Sequence, residues 1–156
     1  KSEFKPSNSN PVSQGTRCHQ LALYTIFEAP LQMMADSPTA YMAAQESTDF
    51  IAKIPTVFDE TVALDGEVGK YIAIARKKGN NWYLGAITNW NSRDITIDFS
   101  FLEKGKKYEA DLFTDGLNAE KAAVDYKREK ITVDSTSKIT FHLASGGGLS
   151  AIISLK

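Results

Sequence analysis

One cysteine, two histidines and no excess of charge narrow the chemistry open to this 156-residue chain. A lone Cys18 cannot close an internal disulfide. With only His19 and His142 beside it, it cannot build a cysteine-rich zinc site. Lys+Arg number 18 and Asp+Glu 19, a net charge of −1. Nucleic-acid binders displace phosphate counterions with surplus basic charge, so nucleic acid is not an expected partner. No apolar run approaches the roughly 20 residues of a membrane-spanning helix. The opening KSEFKPSNSNP lacks the apolar core of a signal peptide. What remains is ordinary folded composition, with 42% hydrophobic and 24% charged residues. At 17.2 kDa there is room for one domain, or for a small domain plus an appendage.

The chain reads as two unlike parts that meet near Pro55. Residues 1–54 carry 4 basic and 5 acidic groups, and 14 of each follow. After a Pro/Asn/Ser loop, GTRCHQLALYTIFEAP predicts a helix capped by Ser13 or Thr16 and ended by Pro30. Leu21, Ala22, Leu23, Tyr24, Ile26 and Phe27 surround it almost completely, so burial on most sides is expected. Residues 31–35, LQMMA, suit a short buried strand, although periodicity alone leaves a continued helix open. Ser37-Pro38 then gives a cap and a first-turn proline. Tyr41, Ala44, Thr48 and Ile51 recur at helical spacing up to Pro55.

Beyond Thr56 the period becomes two. Tyr71–Ala75 runs into Lys78-Gly79-Asn80-Asn81, and residues 82–88 answer it, a hairpin pattern. Ile95, Ile97 and Phe99 alternate with polar residues. So do Tyr108, Ala110 and Leu112, then Ile131 and Val133, then Ile139, Phe141 and Leu143, then Leu149, Ala151, Ile153 and Leu155. Turn clusters separate these runs. Seven or eight short strands with one polar face each predict a mainly β fold, an antiparallel β-sandwich.

The first part lacks a partner. A strand such as LQMMA has no polar face, so both faces need cover and both edges need pairing, as inside a parallel sheet flanked by helices. Nothing in residues 1–30 supplies a neighbouring strand. Unpaired buried backbone groups cost roughly 1–3 kcal/mol each, against a total stability of about 5–15 kcal/mol. The helix–strand–helix therefore reads as the end of a repeating β/α unit whose earlier strands lie elsewhere.

The run GTRCHQLALYTIFEAPLQMMADSP, with DFIAKIPTVFDETVALDGEVGKYIAIARKKGNNWYLGAITNWNSRDITIDFSFL after it, resembles glycoside hydrolase family 97 over essentially the whole chain. The resemblance implies a bacterial α-glucosidase or α-galactosidase parent built from an N-terminal β-supersandwich, a (β/α)8 barrel and a C-terminal β-sandwich. It implies that residues 1–55 are the end of the barrel (helix 7, strand 8, helix 8) and residues 56–156 the C-terminal domain. It also implies that the catalytic carboxylates and the calcium-binding glutamates of such a parent lie upstream. No catalytic residue, metal ligand or cofactor is then expected in this chain. Export to the periplasm, or secretion, is implied by the resemblance alone.

The residues themselves offer weak catalytic candidates. Glycoside hydrolysis needs two carboxyl groups about 5–10 Å apart across the sugar. Glu28 falls at a helix end, and Asp59 and Glu60 where the sandwich begins, positions that suit solvated or ion-paired carboxylates. Asp36 follows the predicted strand, and barrel chemistry gathers at the C-terminal ends of strands. In the intact parent Asp36 is a candidate for the substrate rim, whereas locally Asp36 or Ser37 would cap the next helix. Cys18 and His19 are helix neighbours that point about 100° apart, which argues against a nucleophile pair. Gly146-Gly147-Gly148 lacks the helix and lysine of a phosphate loop and reads as a flexible turn. Trp82 and Trp90 are sugar-stacking candidates, with core or interface packing as the alternative. The reading that follows is a structural, domain-contact or oligomerisation role beside an upstream barrel or a second copy, with carbohydrate as the parent's substrate. A carbohydrate-binding β-sandwich module is the alternative.

Overall fold

The computed structural model describes residues 13–34 and 36–156. Three short helices precede eight strands: α1 (Arg17–Ile26), α2 (Pro38–Ala43), α3 (Gln45–Ile51), β1 (Glu60–Glu67), β2 (Tyr71–Lys78), β3 (Asn81–Thr88), β4 (Arg93–Asp98), β5 (Tyr108–Asp115), β6 (Tyr126–Val133), β7 (Lys138–Leu143) and β8 (Gly148–Leu155). Every pairing is antiparallel. Six strands form one sheet in the order β1-β2-β3-β8-β5-β6, and β4 pairs with β7 in a second. The mainly β, antiparallel sandwich expected from the alternation is what the chain adopts.

Alternation sorts the residues between layers. Trp82, Leu84 and Ala86 of β3, with Leu149, Ala151 and Ile153 of β8, face the β4–β7 pair. There they meet Ile95, Ile97, Phe141 and Leu143, and Phe99 just beyond β4. The β2–β3 hairpin closes on Gly79 at φ 57°, a conformation that glycine reaches without Cβ strain.

The second face of the large sheet is not polar, as one-sided alternation had predicted. Tyr83, Phe113, Cys18, Leu21, Phe50 and Ile54 form a second cluster between that face and the helices. Phe50 of α3 tilts onto Phe113 of β5 with ring centroids 4.6 Å apart. Helix α1 crosses β3 and β8 so closely that only glycine fits beneath it. A Cβ at Gly85 would lie 3.0 Å from the Ala22 carbonyl oxygen, and one at Gly148 would lie 2.6 Å from the His19 Cα.

The described residues up to Pro55 depart from expectation in two ways. The predicted helix over Tyr41–Ile51 is broken at Ala44, whose φ −121° and ψ 41° leave the helical region and divide α2 from α3. The predicted strand is absent from residues 31–34, which are irregular, and Ala35 lies outside the described residues. Leu31 is 81% exposed and Met33 78% exposed. A strand needs a neighbour to accept its ladder hydrogen bonds, and among the described residues no strand pairs with that segment.

Candidate functional site

The helix–sheet contact is built from specific polar anchors as well as apolar area. Thr16 caps α1, its hydroxyl accepting from the His19 N–H at 3.1 Å. The Thr16 N–H donates to the Gly146 carbonyl at 2.9 Å and the Arg17 N–H to the Ala123 carbonyl at 2.7 Å, so two of the donors that the helix start leaves open end on the sandwich. The Asp115 carboxylate accepts from Ala144 N–H and Gly148 N–H, each at 2.9 Å. Burial first, and Asp115 second, push the Cys18 thiol up, so it stays protonated and inert. The Gly146-Gly147-Gly148 run is thus a close-fitted turn and not a flexible one: a Cβ at Gly147 would sit 2.0 Å from the Asp115 carboxylate.

At the other end of α1, Arg76 of β2 lies with only 8% of its side chain exposed. It donates to the Ile26 carbonyl at 3.0 Å and lies 5.3 Å over the Phe58 ring. A cation is favoured there, because the last carbonyls of a helix carry partial negative charge. Glu28 stands 3.7 Å from the same guanidinium and is otherwise solvated.

Helix α3 is held by Glu46. The Tyr126 hydroxyl donates to one of its oxygens at 2.6 Å and Arg128 to the other at 3.2 Å. Arg128 also forms a two-point contact with Asp111, at 2.9 and 2.6 Å. The Tyr126 hydrogen bond, then Arg128, lowers the Glu46 carboxyl below its usual range, and the Asp111 contact chiefly raises Arg128. Asp111, Asp115, Arg76, Glu46, Tyr126 and Arg128 were invisible to sequence reasoning. Glu46 and Arg128 are 82 residues apart, and no spacing rule links them.

The sequence candidates do not converge. Asp36 is exposed; its backbone N–H donates to the Tyr41 hydroxyl, and its carboxylate accepts from the Ser37 N–H at 2.7 Å. Ser37 is the residue that caps α2. Trp82 is 4% exposed, wedged against Phe101 at 4.8 Å in the inter-sheet core, so neither ring face is open to a sugar. Tyr83, on the opposite face, is buried too. Trp90 is 53% exposed and rests on Gly146. Asp59 accepts from Lys78 and from the Gly79 N–H, both at 2.8 Å, which lowers its carboxyl. His142 contacts Asp94 at 2.7 Å on the surface, and His19 Nδ1 lies 3.2 Å from the Gly147 carbonyl.

One end of the large sheet carries an open groove of about 520 Å³ lined by His19, the β1–β2 turn, Ile72, Ile87 and Asn89. Helix α1 passes over Gly85 and Gly148 and leaves this corner uncovered.

Residues 57–154, which hold all eight strands but the last residue of β8, match the family model described as glycosyl-hydrolase 97 C-terminal, oligomerisation. The chain belongs to glycoside hydrolase family 97. Within that family it is 53% identical over 148 residues to a retaining alpha-galactosidase of Bacteroides thetaiotaomicron, covering 95% of this chain and 22% of that protein. A probable retaining alpha-galactosidase of Streptomyces bingchenggensis is 28% identical over 81 residues, covering 52% of this chain and 12% of that protein. Among solved structures, a family 97 enzyme of Pseudoalteromonas sp. strain K8 in complex with acarbose superposes with a TM-score of 0.88 at 39% identity, over 91% of this chain and 23% of that one. The chain therefore spans less than a quarter of these family 97 relatives. The calcium implied for the family finds no fit here: among the described residues no three His, Cys, Asp or Glu side chains gather to hold a metal ion.

Proposed function

We propose that this chain is the C-terminal region of a longer family 97 α-glycosidase, in which it braces the catalytic barrel and carries the surface for association. The observation that carries this reading is the exposed apolar stretch between α1 and α2. Phe27 at 59%, Leu31 at 81% and Met33 at 78% exposure stand in water, while α1 before them and α3 further along the chain are fastened to the sandwich. Three large apolar side chains exposed so near one another in the chain suit a protein partner. On this reading residues 31–36 become the last barrel strand when the upstream barrel supplies its neighbours, and Asp36 then stands at the substrate rim. Residues 1–55 end the barrel and residues 56–156 are the C-terminal domain. The acid/base carboxylates and the calcium belong to the parent's upstream part. An α-galactoside is the preferred substrate class over an α-glucoside, and retention the preferred outcome, on the printed name of the Bacteroides protein. Export to the periplasm or beyond completes the proposal.

The test compares this chain with the same chain extended upstream through its barrel. The chain alone is expected to leave nitrophenyl α-galactoside and α-glucoside unhydrolysed, and its amides at 31–34 to exchange freely. The extended protein is expected to hydrolyse the galactoside and protect those amides. Turnover by the chain alone, or equal exchange in both proteins, overturns the reading. A carbohydrate-binding module is favoured by Trp90 alone. Around that ring the Asn89 side chain is already engaged by Gly69, Asn91 and Arg93, which leaves it less free to bind hydroxyls. Galactosides or maltooligosaccharides at millimolar concentration without a heat or fluorescence change would remove it.

A further inference from the structure

Two Asp-Gly dipeptides occur in the chain, Asp65-Gly66 and Asp115-Gly116, and the fold treats them in opposite ways. At such a pair a second path is open to the backbone. The glycine nitrogen can close on the aspartate side-chain carboxyl, because glycine has no Cβ to block the approach. Asp115 is held away from that path. Its carboxylate accepts from the Ala144 and Gly148 N–H groups, each at 2.9 Å, and the Gly116 N–H is committed to the Asp125 carbonyl at 3.1 Å. The carboxylate also has no room to turn, since a Cβ at Gly147 would lie 2.0 Å from it.

Asp65 lies on the path. Its Oδ1 accepts from the Gly66 N–H itself, at 2.8 Å, so the two reacting groups are already in contact. Groups held together in this way are spared the entropy of finding each other. The Tyr71 hydroxyl donates to the same oxygen at 3.1 Å, and both Asp65 and Gly66 are exposed. The backbone is also less constrained here than inside the sheet. Strand β1 is the edge strand, and its register passes from Ala63–Ile74 to Asp65–Ala73, stepping over Leu64. An edge beside a bulge opens at lower cost than a central strand. Asp36 makes a similar contact with the Ser37 N–H at 2.7 Å. Ser37, however, carries a Cβ, and its hydroxyl is fixed on the Ala40 N–H as the cap of α2.

We infer that Asp65-Gly66 is a modification site, at which the folded chain rearranges spontaneously to a β-linked isoaspartate. The Gly66 nitrogen bonds to the side-chain carboxyl carbon of Asp65, and the hydroxyl of the protonated carboxyl leaves with the proton of that nitrogen as one water. A cyclic imide remains. Water then adds to the main-chain carbonyl carbon of Asp65 and breaks its bond to the Gly66 nitrogen. The backbone now runs through the former side chain, the former main-chain carbonyl is a free carboxylate, and one water has left and one returned. The main chain is longer by one carbon between Asp65 and Gly66. The pairings Asp65–Ala73, Gly66–Ile72 and Glu67–Tyr71, which lead into the β1–β2 turn, then fall out of register. This rearrangement is independent of the bracing and association role proposed above.

The test ages the folded chain at physiological temperature over weeks and then cuts it with trypsin. Asp65, Asp115 and Asp36 fall in separate peptides, 54–70, 108–121 and 18–53. Isoaspartate is read by methyl transfer from labelled S-adenosylmethionine with an isoaspartyl methyltransferase, and by a second chromatographic peak of unchanged mass. Peptide 54–70 is expected to lead 108–121 by roughly tenfold or more, since Asp115 must first break two backbone hydrogen bonds. Peptide 18–53 is expected to fall between them. In urea the difference between the two Asp-Gly pairs is expected to vanish. D65E, which has to close a larger ring, and G66A, whose Cβ would lie 3.3 Å from the Tyr71 carbonyl oxygen, are expected to silence 54–70. D65N, which loses ammonia in place of water, is expected to give the same β-linked product faster. Hydrogen exchange in the aged fraction is expected to rise in β1 and stay unchanged in β8. Accumulation in 54–70 no greater than in 108–121 or 18–53, or accumulation at Asp65 only after unfolding, overturns the site. Exchange in β1 equal to that of the fresh chain overturns the loss of register.

Discussion

The sandwich and the helical part of this chain solve the same problem to different degrees. In the sandwich, Phe99, Ile97, Leu112 and Leu143 are wholly removed from water, and the inward-facing apolar set of each strand finds a partner across the layers. In the helical part, α2 has no buried residue at all, and Phe27, Leu31, Met33 and Met42 remain in solvent. The two regions do not differ in apolar content so much as in where their partners are. A strand of the sandwich meets its neighbours within the chain, whereas among the described residues no strand pairs with 31–34, where Gln32 reaches only the Tyr24 and Phe27 carbonyls. Only α1 and α3 escape this, because the second face of the large sheet receives them.

That contrast can be broken or sharpened by substitution. The largest effect is expected at Phe113, which sits between Phe50 and Tyr126 with centroids 4.6 and 5.2 Å away. Phe113→Ala should cost about 3–5 kcal/mol in denaturant unfolding. Loss of under about 1 kcal/mol would mean the helices are not part of the cooperative unit. Next comes Gly148→Ala, whose new methyl would strike the α1 backbone at His19. It should cost about 1–3 kcal/mol by forcing backbone movement, and free α1 for hydrogen exchange before the strands.

A smaller effect is expected at Glu46. Its carboxyl is lowered in the folded chain, first by Tyr126 and then by Arg128. Its contribution is therefore complete above the usual glutamate range, about pH 4.3, and is lost as pH falls through the lowered folded value. Because the pair is half exposed, Glu46→Gln should cost only about 0.5–1 kcal/mol at neutral pH. The same variant should flatten the acid-side fall in α3 protection. An unchanged pH profile in E46Q would assign that fall to other carboxylates. The smallest effect is expected from Leu31→Ser with Met33→Ser, within about 0.5 kcal/mol, together with reduced binding of an apolar dye. A large destabilisation there would show that the segment is buried in solution.

Much of the sandwich was legible because its signals are local. Alternation marked seven strands, Gly79 marked the β2–β3 turn, and Thr16 and Ser37 marked two helix starts, each readable within a few residues. Strand β1 was the weakest signal: as an edge strand with a register shift between Ala63 and Asp65, it buries little and alternates poorly. The break at Ala44 was also hidden, since alanine favours helix; beyond it α3 packs on Phe113 and pairs with Arg128, contacts that no local pattern announces. Trp82 and Tyr83 were assigned to opposite faces by the strand period, and they are. That both faces are covered was not readable from that period.

The sequence by itself determined seven or eight strands, the antiparallel sandwich, the absence of an internal disulfide and of a cysteine-rich zinc site, and the oily stretch that needs a neighbour, because each follows from composition or from a period of two. Only the tertiary structure decided that α1 and α3 roof the large sheet, that Asp115 and Glu46 fasten them, and that the β1–β2 corner stays open. Those outcomes depend on contacts between residues as far apart as His19 and Gly147, 128 positions, and burial of a face is settled by whatever element arrives there, not by the strand that offers it.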